Sequence, residues 1–172
     1  MSNGTKSKTN HFTEIARIDL DTLMPIELAC HSHPWSEKTF LSCIGGRYFG
    51  EKLAINFAQN AATEIPDNHA IGFYIGFYIG EYVLGEATLM DICVNPTEQG
   101  KGYGKVLLNQ FLAQAKKLGT TKVFLEVRAK NIAAQMLYMN AGFIEINRRT
   151  GYYPSSTGFG YEDAIVMSLA CK

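Results

Sequence analysis

Side chains suited to group-transfer chemistry are concentrated in the second half of the chain. Residues 99–108 read QGKGYGKVLL, in which glycines occupy positions 100, 102 and 104 and lysines occupy positions 101 and 105. Further along, Glu126 lies in the alternating stretch TKVFLEVR, and Asn131 and Tyr138 lie seven residues apart in a helical pattern. A carboxylate can accept a proton and a phenol can donate one. The set predicts a phosphate-containing ligand beside a proton-transfer site.

The glycine spacing excludes two common nucleotide-binding motifs. A Walker loop has four residues between its first glycine and its Gly-Lys pair, and Ser or Thr follows that pair. Here only three residues separate Gly100 from Gly104, and a valine follows Lys105. The dinucleotide motif G-x-G-x-x-G is also not matched. The pattern Q/R-x-x-G-x-G/A is matched by Gln99, Gly102 and Gly104. Main-chain amides of glycines have no side chain in front of them, so at a helix N-terminus they can bind a pyrophosphate, and the positive end of the helix dipole favours its charge.

Hydrophobic periodicity predicts the elements that position these residues, in the order β-α-α-β-β-β-α-β-α-β-β. The predicted strands include 12–20, 71–80, 82–94, 121–128, 143–149 and 164–169. One helix is predicted at 21–31 and a second begins after an N-cap at Ser36. Two more are predicted at 106–118, before Gly119, and at 132–141, after an N-cap at Asn131. Residues 59–68 and 150–163 are predicted loops. The fold class is therefore α/β (α+β).

The repeat IGFYIGFYIG, residues 71–80, is predicted to be a strand. Every second residue is Ile or Phe, and the alternating positions are Gly or Tyr, so the two sets should occupy opposite faces. A turn at Gly80-Glu81 is expected to lead into the next strand.

Length and charge restrict the functional classes. With 172 residues and 47% hydrophobic residues, we expect a polar tail at 1–11 and one domain at 12–172. Sixteen basic residues balance sixteen acidic ones, so we expect no direct nucleic-acid or membrane partner. No stretch approaches the roughly 20 apolar residues of a membrane span, and the start lacks a signal peptide. A cytoplasmic protein is expected.

The cysteines are predicted to be free thiols. Four cysteines are widely spaced and form no CxxC motif. A metal site formed by Cys30, His31, His33 and Cys43 is conceivable, but histidines in such a segment are more often loop residues, and we expect no metal.

Several stretches resemble one family of enzymes. PWSEKTF, GEATL, QGKGYGKVLL, LEVRAKNIAAQMLY, AGF, and YYP followed by EDAIVM occur in the order found in RimI-type ribosomal-protein-alanine N-acetyltransferases of the GNAT superfamily. The resemblance covers most of the chain from about residue 12. It implies the GNAT acyltransferase fold, with a mixed, mostly antiparallel sheet flanked by about four helices. It also implies acetyl-CoA as co-substrate and the N-terminal alanine of ribosomal protein S18 as acceptor.

The resemblance assigns roles to particular residues. The coenzyme A pyrophosphate would be bound at Gly100, Lys101, Gly102, Tyr103, Gly104 and Lys105, with a further contact from Asn131. Main-chain amides of Ile92, Cys93 and Val94 would polarise the thioester carbonyl. Glu126 would be the base that an α-ammonium group needs, and Tyr138 the acid that protonates the leaving thiolate. Trp35, Tyr152 and Tyr153 would form the peptide groove.

Alternatives remain for most of these residues. Glu126 could be a surface residue paired with Arg128 or Lys122, and Tyr138 or Trp35 could be core aromatics. Cys93 could carry the acetyl group as a nucleophile, although we expect direct transfer because no histidine is close in sequence. Acetylation of a small amine, such as a polyamine or aminoglycoside, is the main alternative function. A noncatalytic coenzyme A-binding module is the other.

Overall fold

The structure, a computed structural model, describes residues 9–56 and 73–171. The predicted loop at 59–68, residues 1–8 of the predicted tail and the first two residues of the repeat lie outside this range. The described strands are β1 (Thr9–Glu14), β2 (Tyr48–Asn56), β3 (Phe73–Val83), β4 (Glu86–Val94), β5 (Lys122–Arg128), β6 (Ile144–Pro154) and β7 (Tyr161–Ala170). The helices are α1 (Leu20–Cys30), α2 (Glu37–Ser42), α3 (Tyr103–Lys117) and α4 (Ile132–Asn140).

The strands form a seven-stranded sheet in the order β1-β2-β3-β4-β5-β7-β6. The pairing of β4 with β5 is parallel, and every other neighbouring pair is antiparallel. The mixed, mostly antiparallel sheet was predicted. None of the helices in the described ranges has the length and hydropathy that a membrane crossing would require.

Helices cover both faces of the sheet. On one face, α3 and α4 pack over a cluster that includes Leu107, Phe111 and Tyr138. On the other, α1 and α2 pack over a cluster that includes Leu23, Phe40 and Phe77. Burying each large apolar side chain contributes about 1.5–3 kcal/mol, so these two layers provide most of the stability of the fold.

Several local predictions are confirmed. Ser36 caps α2 by accepting a hydrogen bond from the Thr39 amide, and Asn131 caps α4 by accepting one from the Ala134 amide. Gly119 follows α3 in the left-handed conformation, with φ of +82°. The alternation of β5 is also as predicted, with Val123, Leu125 and Val127 on the buried face. Short-range signals were sufficient for these elements.

The predicted strand at 12–20 is wrong in extent. β1 spans Thr9–Glu14, so its first three residues belong to the sheet and not to the predicted tail. A short 3-10 turn at Arg17–Asp19 follows, because the Asp19 carboxylate accepts a hydrogen bond from the Ala16 amide at 2.8 Å and pairs with Lys52. α1 then contains Pro25 in its interior, although proline is best tolerated in the first turn of a helix.

The repeat forms a strand, as predicted, but its faces and its turn differ from the prediction. β3 continues through Gly80-Glu81 to Val83, and the chain reverses at Leu84 and Gly85, which both have positive φ. Paired left-handed residues are the geometry of a tight hairpin whose twist matches the strands. Tyr82 therefore belongs to β3, and β4 starts at Glu86.

A β-bulge breaks the predicted alternation within the repeat. The pairing between β2 and β3 shifts by one residue between Leu53 and Ala54, which makes Ile75 the extra residue. Ile75 consequently packs in the same cluster as Tyr78, whereas Phe77 packs in the α1 and α2 cluster. The repeat is buried on both faces, so hydrophobicity alone did not determine which residues share a face.

Two further predictions need correction. The residues Tyr152-Tyr153-Pro154 were predicted in a loop, but β6 extends through them to Pro154, with a register shift between Arg149 and Tyr153 that accommodates extra residues. Cys30 and Cys93 form a disulfide with Cα atoms 6.0 Å apart, whereas free thiols were predicted. The end of α1 crosses β4 at this point, a proximity that the sequence does not indicate because the two cysteines are 63 positions apart.

Candidate active site

A gap between β4 and β5 creates the main cavity of the described structure. The two parallel strands are paired only as far as Leu89 and Leu125, after which they diverge. β5 continues to pair with β7 up to Arg128, and β4 continues to pair with β3 up to Val94. Between the diverging strand ends lies a cavity of about 630 Å³, whose wall includes Glu126, Asn131 and Tyr138.

A bulge at Met90 directs β4 into this cavity. The register with β3 shifts between Ile79 and Gly80, so that Met90 has no partner residue. Leu89, before the bulge, packs in the α3 and α4 cluster, whereas Cys93, after it, packs in the α1 and α2 cluster. Because a bulge reverses which face each later side chain occupies, Asp91 and Cys93 point towards α1.

The main chain of residues 92–94 borders the gap. Within the residues that the structure describes, the edge of β4 facing β5 has no strand partner beyond Leu89. The side chain of Gln99 donates a hydrogen bond to the Val94 carbonyl at 3.0 Å and holds the following turn against the strand. Ile92, Cys93 and Val94 line the cavity, and the interaction of their amides with a thioester carbonyl stays a prediction.

The glycine loop lies between β4 and α3 on the cavity wall. Gly100 and Gly102 have φ of +75° and +86°, values that glycine adopts without steric cost. Gly102 is the N-cap of α3, and the amides at the start of a helix have no intrahelical acceptor. Gly100, Gly102, Tyr103, Gly104 and Lys105 line the cavity. Lys101 is not among the cavity-lining residues, and its Nζ lies 3.0 Å from Glu98 Oε1.

Glu126 lies on β5 in an ion pair that the sequence did not indicate. Its Oε1 is 3.0 Å from Nη2 of Arg149 on β6. Arg128, one of the two partners considered from the sequence, instead pairs with Glu162 and donates a hydrogen bond to the Pro154 carbonyl at 2.8 Å. Glu126 thus lines the cavity while one of its oxygens is already bound by a cation.

Asn131 and Tyr138 both project from α4 into the cavity wall. The Asn131 oxygen caps the helix, which leaves its amide nitrogen to donate to a ligand. Tyr138 is 5% exposed and packs edge-on against Phe143, so it is both a core aromatic and a cavity residue. Burial, together with the charge of Asp91, raises the pKa of Tyr138 above its ordinary range. The phenol is therefore protonated at neutral pH.

Two of the three predicted groove aromatics reach the cavity. Trp35 and Tyr153 line it, and Tyr153 also contacts the Arg128 guanidinium, 4.4 Å from its ring centroid. Tyr152 packs edge-on against Tyr153, with centroids 5.0 Å apart, but is 47% exposed and does not line the cavity.

Glu27, His31 and Asp91 also line the cavity, and the sequence reasoning did not assign them a role. His31 was considered a loop residue, but it is the C-cap of α1, and its Nε2 is 3.0 Å from Asp91 Oδ1. The i,i+4 spacing of Glu27 and His31 on one helix was the available signal. Glu27, His31 and Cys93 have potential metal-ligating atoms within 4.8 Å of one another, but the Cys93 sulfur is bonded to Cys30.

Comparison with known proteins agrees with this geometry. The model of the acetyltransferase (GNAT) family matches residues 20–143. The ribosomal protein bS18-alanine N-acetyltransferase of Escherichia coli (strain K12) is 39% identical over 162 residues, which cover 93% of this chain and 97% of that protein. The protein of the same name from Haemophilus influenzae is 39% identical over 156 residues, covering 91% and 95%.

A solved structure extends the comparison to three dimensions. The crystal structure of the ribosomal-protein-S18-alanine N-acetyltransferase from Escherichia coli has a TM-score of 0.78 at 38% identity and covers 94% of each chain. The strand order, the gap after β4 and the glycine loop before α3 thus occur in a chain whose sequence and fold match those of acetyltransferases. The chain belongs to the GNAT family and is an acetyl-CoA-dependent N-acetyltransferase.

Proposed function

We propose that this enzyme acetylates the N-terminal alanine of ribosomal protein bS18 by direct transfer from acetyl-CoA. The acceptor is taken from the names of its Escherichia coli and Haemophilus influenzae relatives. The observation that carries the proposed mechanism is that Glu126, Tyr138 and the glycine loop line one cavity. Because ribosomal proteins are synthesised in the cytoplasm, the reaction is proposed to occur there.

The amine must lose a proton before it can attack. An α-amino group has a pKa of about 7.7–8 and is mostly protonated at neutral pH. We assign the acceptance of this proton to the Glu126 carboxylate, directly or through water. Attack of the neutral nitrogen on the thioester carbon then forms a C–N bond and places negative charge on the carbonyl oxygen. The main-chain amides of residues 92–94 are proposed to stabilise that charge.

Collapse of the intermediate breaks the C–S bond. Tyr138 is proposed to give its phenolic proton to the leaving thiolate, and the raised pKa of this tyrosine ensures that the proton is present. The acetylated nitrogen then loses its second proton. The glycine loop and the Asn131 amide would hold the cofactor, so that its sulfur reaches Tyr138 along the same face of α4.

The acceptor peptide is proposed to enter past Trp35 and Tyr153. Aromatic walls can hold an extended backbone without requiring particular side chains. Both residues line the cavity, and Trp35 is further fixed by its amide, which donates a 2.7 Å hydrogen bond to Glu27 Oε1.

The decisive experiment is acetyl transfer to a peptide that carries the bS18 N-terminus. We expect rapid transfer to the free peptide, no transfer to the same peptide with a blocked amine, and slow transfer to polyamines and aminoglycosides. Equal rates on the free and blocked peptides would contradict N-terminal acetylation. Preference for the small amines would identify the alternative function.

A further inference from the structure

A cluster of three titratable side chains lies across the junction of α1 and β4. Glu27 and His31 are one helical turn apart, and His31 Nε2 is 3.4 Å from Glu27 Oε2 and 3.0 Å from Asp91 Oδ1. The disulfide between Cys30 and Cys93 joins the same two elements beside the cluster. Its three members therefore have a fixed spacing on the cavity wall.

The two carboxylates of the cluster are buried and incompletely bonded. The Glu27 and Asp91 side chains are 1% and 4% exposed. Glu27 Oε2 and Asp91 Oδ2 have no hydrogen-bond partner among the residues that the structure describes. Buried polar atoms are normally paired, because an unmade hydrogen bond in the interior is costly. Glu27 contacts the imidazole through Oε2 and Asp91 through Oδ1. Two buried carboxylates that are not fully hydrogen-bonded therefore face one imidazole, an arrangement that stabilises a positive charge on it.

The electrostatics of the cluster favour a protonated imidazole. Burial and the nearby Arg128 charge lower the pKa of His31, whereas the hydrogen bond to Asp91 and the charges of Asp91 and Glu27 raise it. The raising effects are larger, so the pKa of His31 lies above its ordinary value. Burial and the Asp91 charge raise the pKa of Glu27 to about 7. Glu27 therefore titrates near neutral pH beside the imidazole, in the range in which general acid–base groups act best.

The reaction itself requires a second proton acceptor. An ammonium group loses two protons on becoming an amide, and only one of them is returned to the thiolate. Glu126 is one acceptor, but taking a proton would cost it the ion pair with Arg149. His31 is on the same cavity wall, its side chain is 36% exposed, and Nε2 faces the carboxylates, which leaves Nδ1 as the nitrogen able to accept.

We propose that His31 is a further proton acceptor in the acetyl-transfer reaction, with Asp91 and Glu27 as positioning residues that stabilise its imidazolium form. After the C–N bond has formed, an N–H bond of the positively charged nitrogen breaks, its electron pair stays on nitrogen, and this second proton moves to Nδ1 directly or through one water. The imidazolium then releases this proton to solvent through its exposed edge. This inference rests on the proposed amine acetylation.

The test uses chemical rescue. We expect His31→Ala to lower kcat by about 10²-fold, with partial restoration by added imidazole. In a series of substituted imidazoles, the rescued rate should rise with the pKa of the base. His11→Ala, which removes an exposed histidine on β1, should retain the wild-type rate and show no rescue. An unchanged kcat, no rescue, or rescue that is independent of pKa would overturn the proposal.

A second variant tests the proposal even if His31→Ala does not fold. Asp91→Asn keeps a polar partner but removes the charge, so the pH at which kcat is half-maximal should move to a lower value. An unmoved midpoint would also overturn the proposal. If the wild-type enzyme does not acetylate the bS18 peptide, that result contradicts the proposed acceptor and not the role of His31. The variants are then measured with the amine that the enzyme does accept.

Discussion

Glu126 Oε1 lies 3.0 Å from Arg149 Nη2, so the proposed base and its counterion come from different strands. The Arg149 guanidinium also lies 4.9 Å from the centroid of the Tyr152 ring. The pair is partly exposed, and such pairs contribute about 0–1 kcal/mol to stability. A peptide that bound at Tyr152 would therefore lie next to the counterion of the proposed base.

Replacement of the base should change the pH profile. We expect Glu126→Gln to lower kcat by about 10²-fold near pH 6 and by much less near pH 9, where the amine deprotonates without help. Glu145→Gln is the matched control, since Glu145 is also ion-paired on the surface, with Arg148. Steady-state rates from pH 6 to 9 test the expectation, and a loss of equal size at every pH would remove Glu126 from the role.

Removal of the Tyr138 hydroxyl should affect the chemical step selectively. Tyr138→Phe keeps the edge-on contact with Phe143, so we expect the free energy of unfolding to change by no more than about 1 kcal/mol. The value of kcat should fall by about 10²-fold, while the KM for acetyl-CoA stays nearly constant. Tyr161→Phe, at an exposed position, serves as the control. A normal kcat for Tyr138→Phe would contradict the assignment of the acid.

The glycine loop can be tested with a pair of substitutions of similar backbone cost. Gly102 and Gly158 both have positive φ, and an added Cβ would meet no atom within 4 Å at either site. Alanine should therefore destabilise both proteins by roughly 1–2 kcal/mol. Only Gly102→Ala should raise the KM for acetyl-CoA, because only Gly102 lines the cavity. Equal KM values in the two variants would argue against pyrophosphate binding at this loop.

The disulfide predicts both a labelling pattern and a kinetic result. When the protein is unfolded without reductant, a thiol-alkylating reagent should modify only Cys43 and Cys171. When a reductant is added, the reagent should modify all four cysteines. Because the Cys93 sulfur is bonded to Cys30, it cannot act as the acetyl carrier. Cys30→Ala with Cys93→Ala should lose about 2–4 kcal/mol of stability and yet retain acetyl transfer. A folded but inactive double variant would support the two-step mechanism.

Stability should depend on pH through Glu27. Its pKa is raised from 4.5 to about 7 in the folded protein, so the folded state holds the proton more tightly than the unfolded state. The contribution of the Glu27 carboxyl to the free energy of unfolding is therefore greatest below pH 4.5, and it falls by roughly 3 kcal/mol as the pH rises to 7. Glu27→Gln should therefore gain stability relative to wild type between pH 5 and pH 8 in urea unfolding. Glu37→Gln, at the exposed start of α2, should show no such gain.

Local patterns predicted the elements whose signals are contained within a few residues. The cap at Asn131, the alternation of β5 and the stop at Gly119 each depend on short-range hydrogen bonding or steric effects. The glycine spacing was similarly sufficient to place the loop before α3. Resemblance to acetyltransferases then supplied the expected roles of Glu126 and Tyr138, and the structure places both residues on one cavity wall.

Features that depend on register or on distant contacts were not predictable. The bulges at Ile75 and Met90 reverse the faces that later side chains occupy, and hydrophobic alternation does not locate either of them. The disulfide and the pairing of His31 with Asp91 join residues at least 60 positions apart. Each depends on where α1 crosses β4, which a hydrophobic pattern does not specify.

The gap between β4 and β5 makes the thermodynamics of folding depend on ligand concentration. Within the described structure, the main chain of β4 beyond Leu89 has no strand partner on this edge, although the Gln99 side chain donates a hydrogen bond to the Val94 carbonyl. A ligand that occupies the gap binds the folded chain and not the unfolded one. At 100 times its Kd, it would add about 2.7 kcal/mol to the free energy of unfolding. We therefore expect the free energy of unfolding to rise with the concentration of acetyl-CoA, which would link the supply of the co-substrate to the fraction of enzyme that is folded.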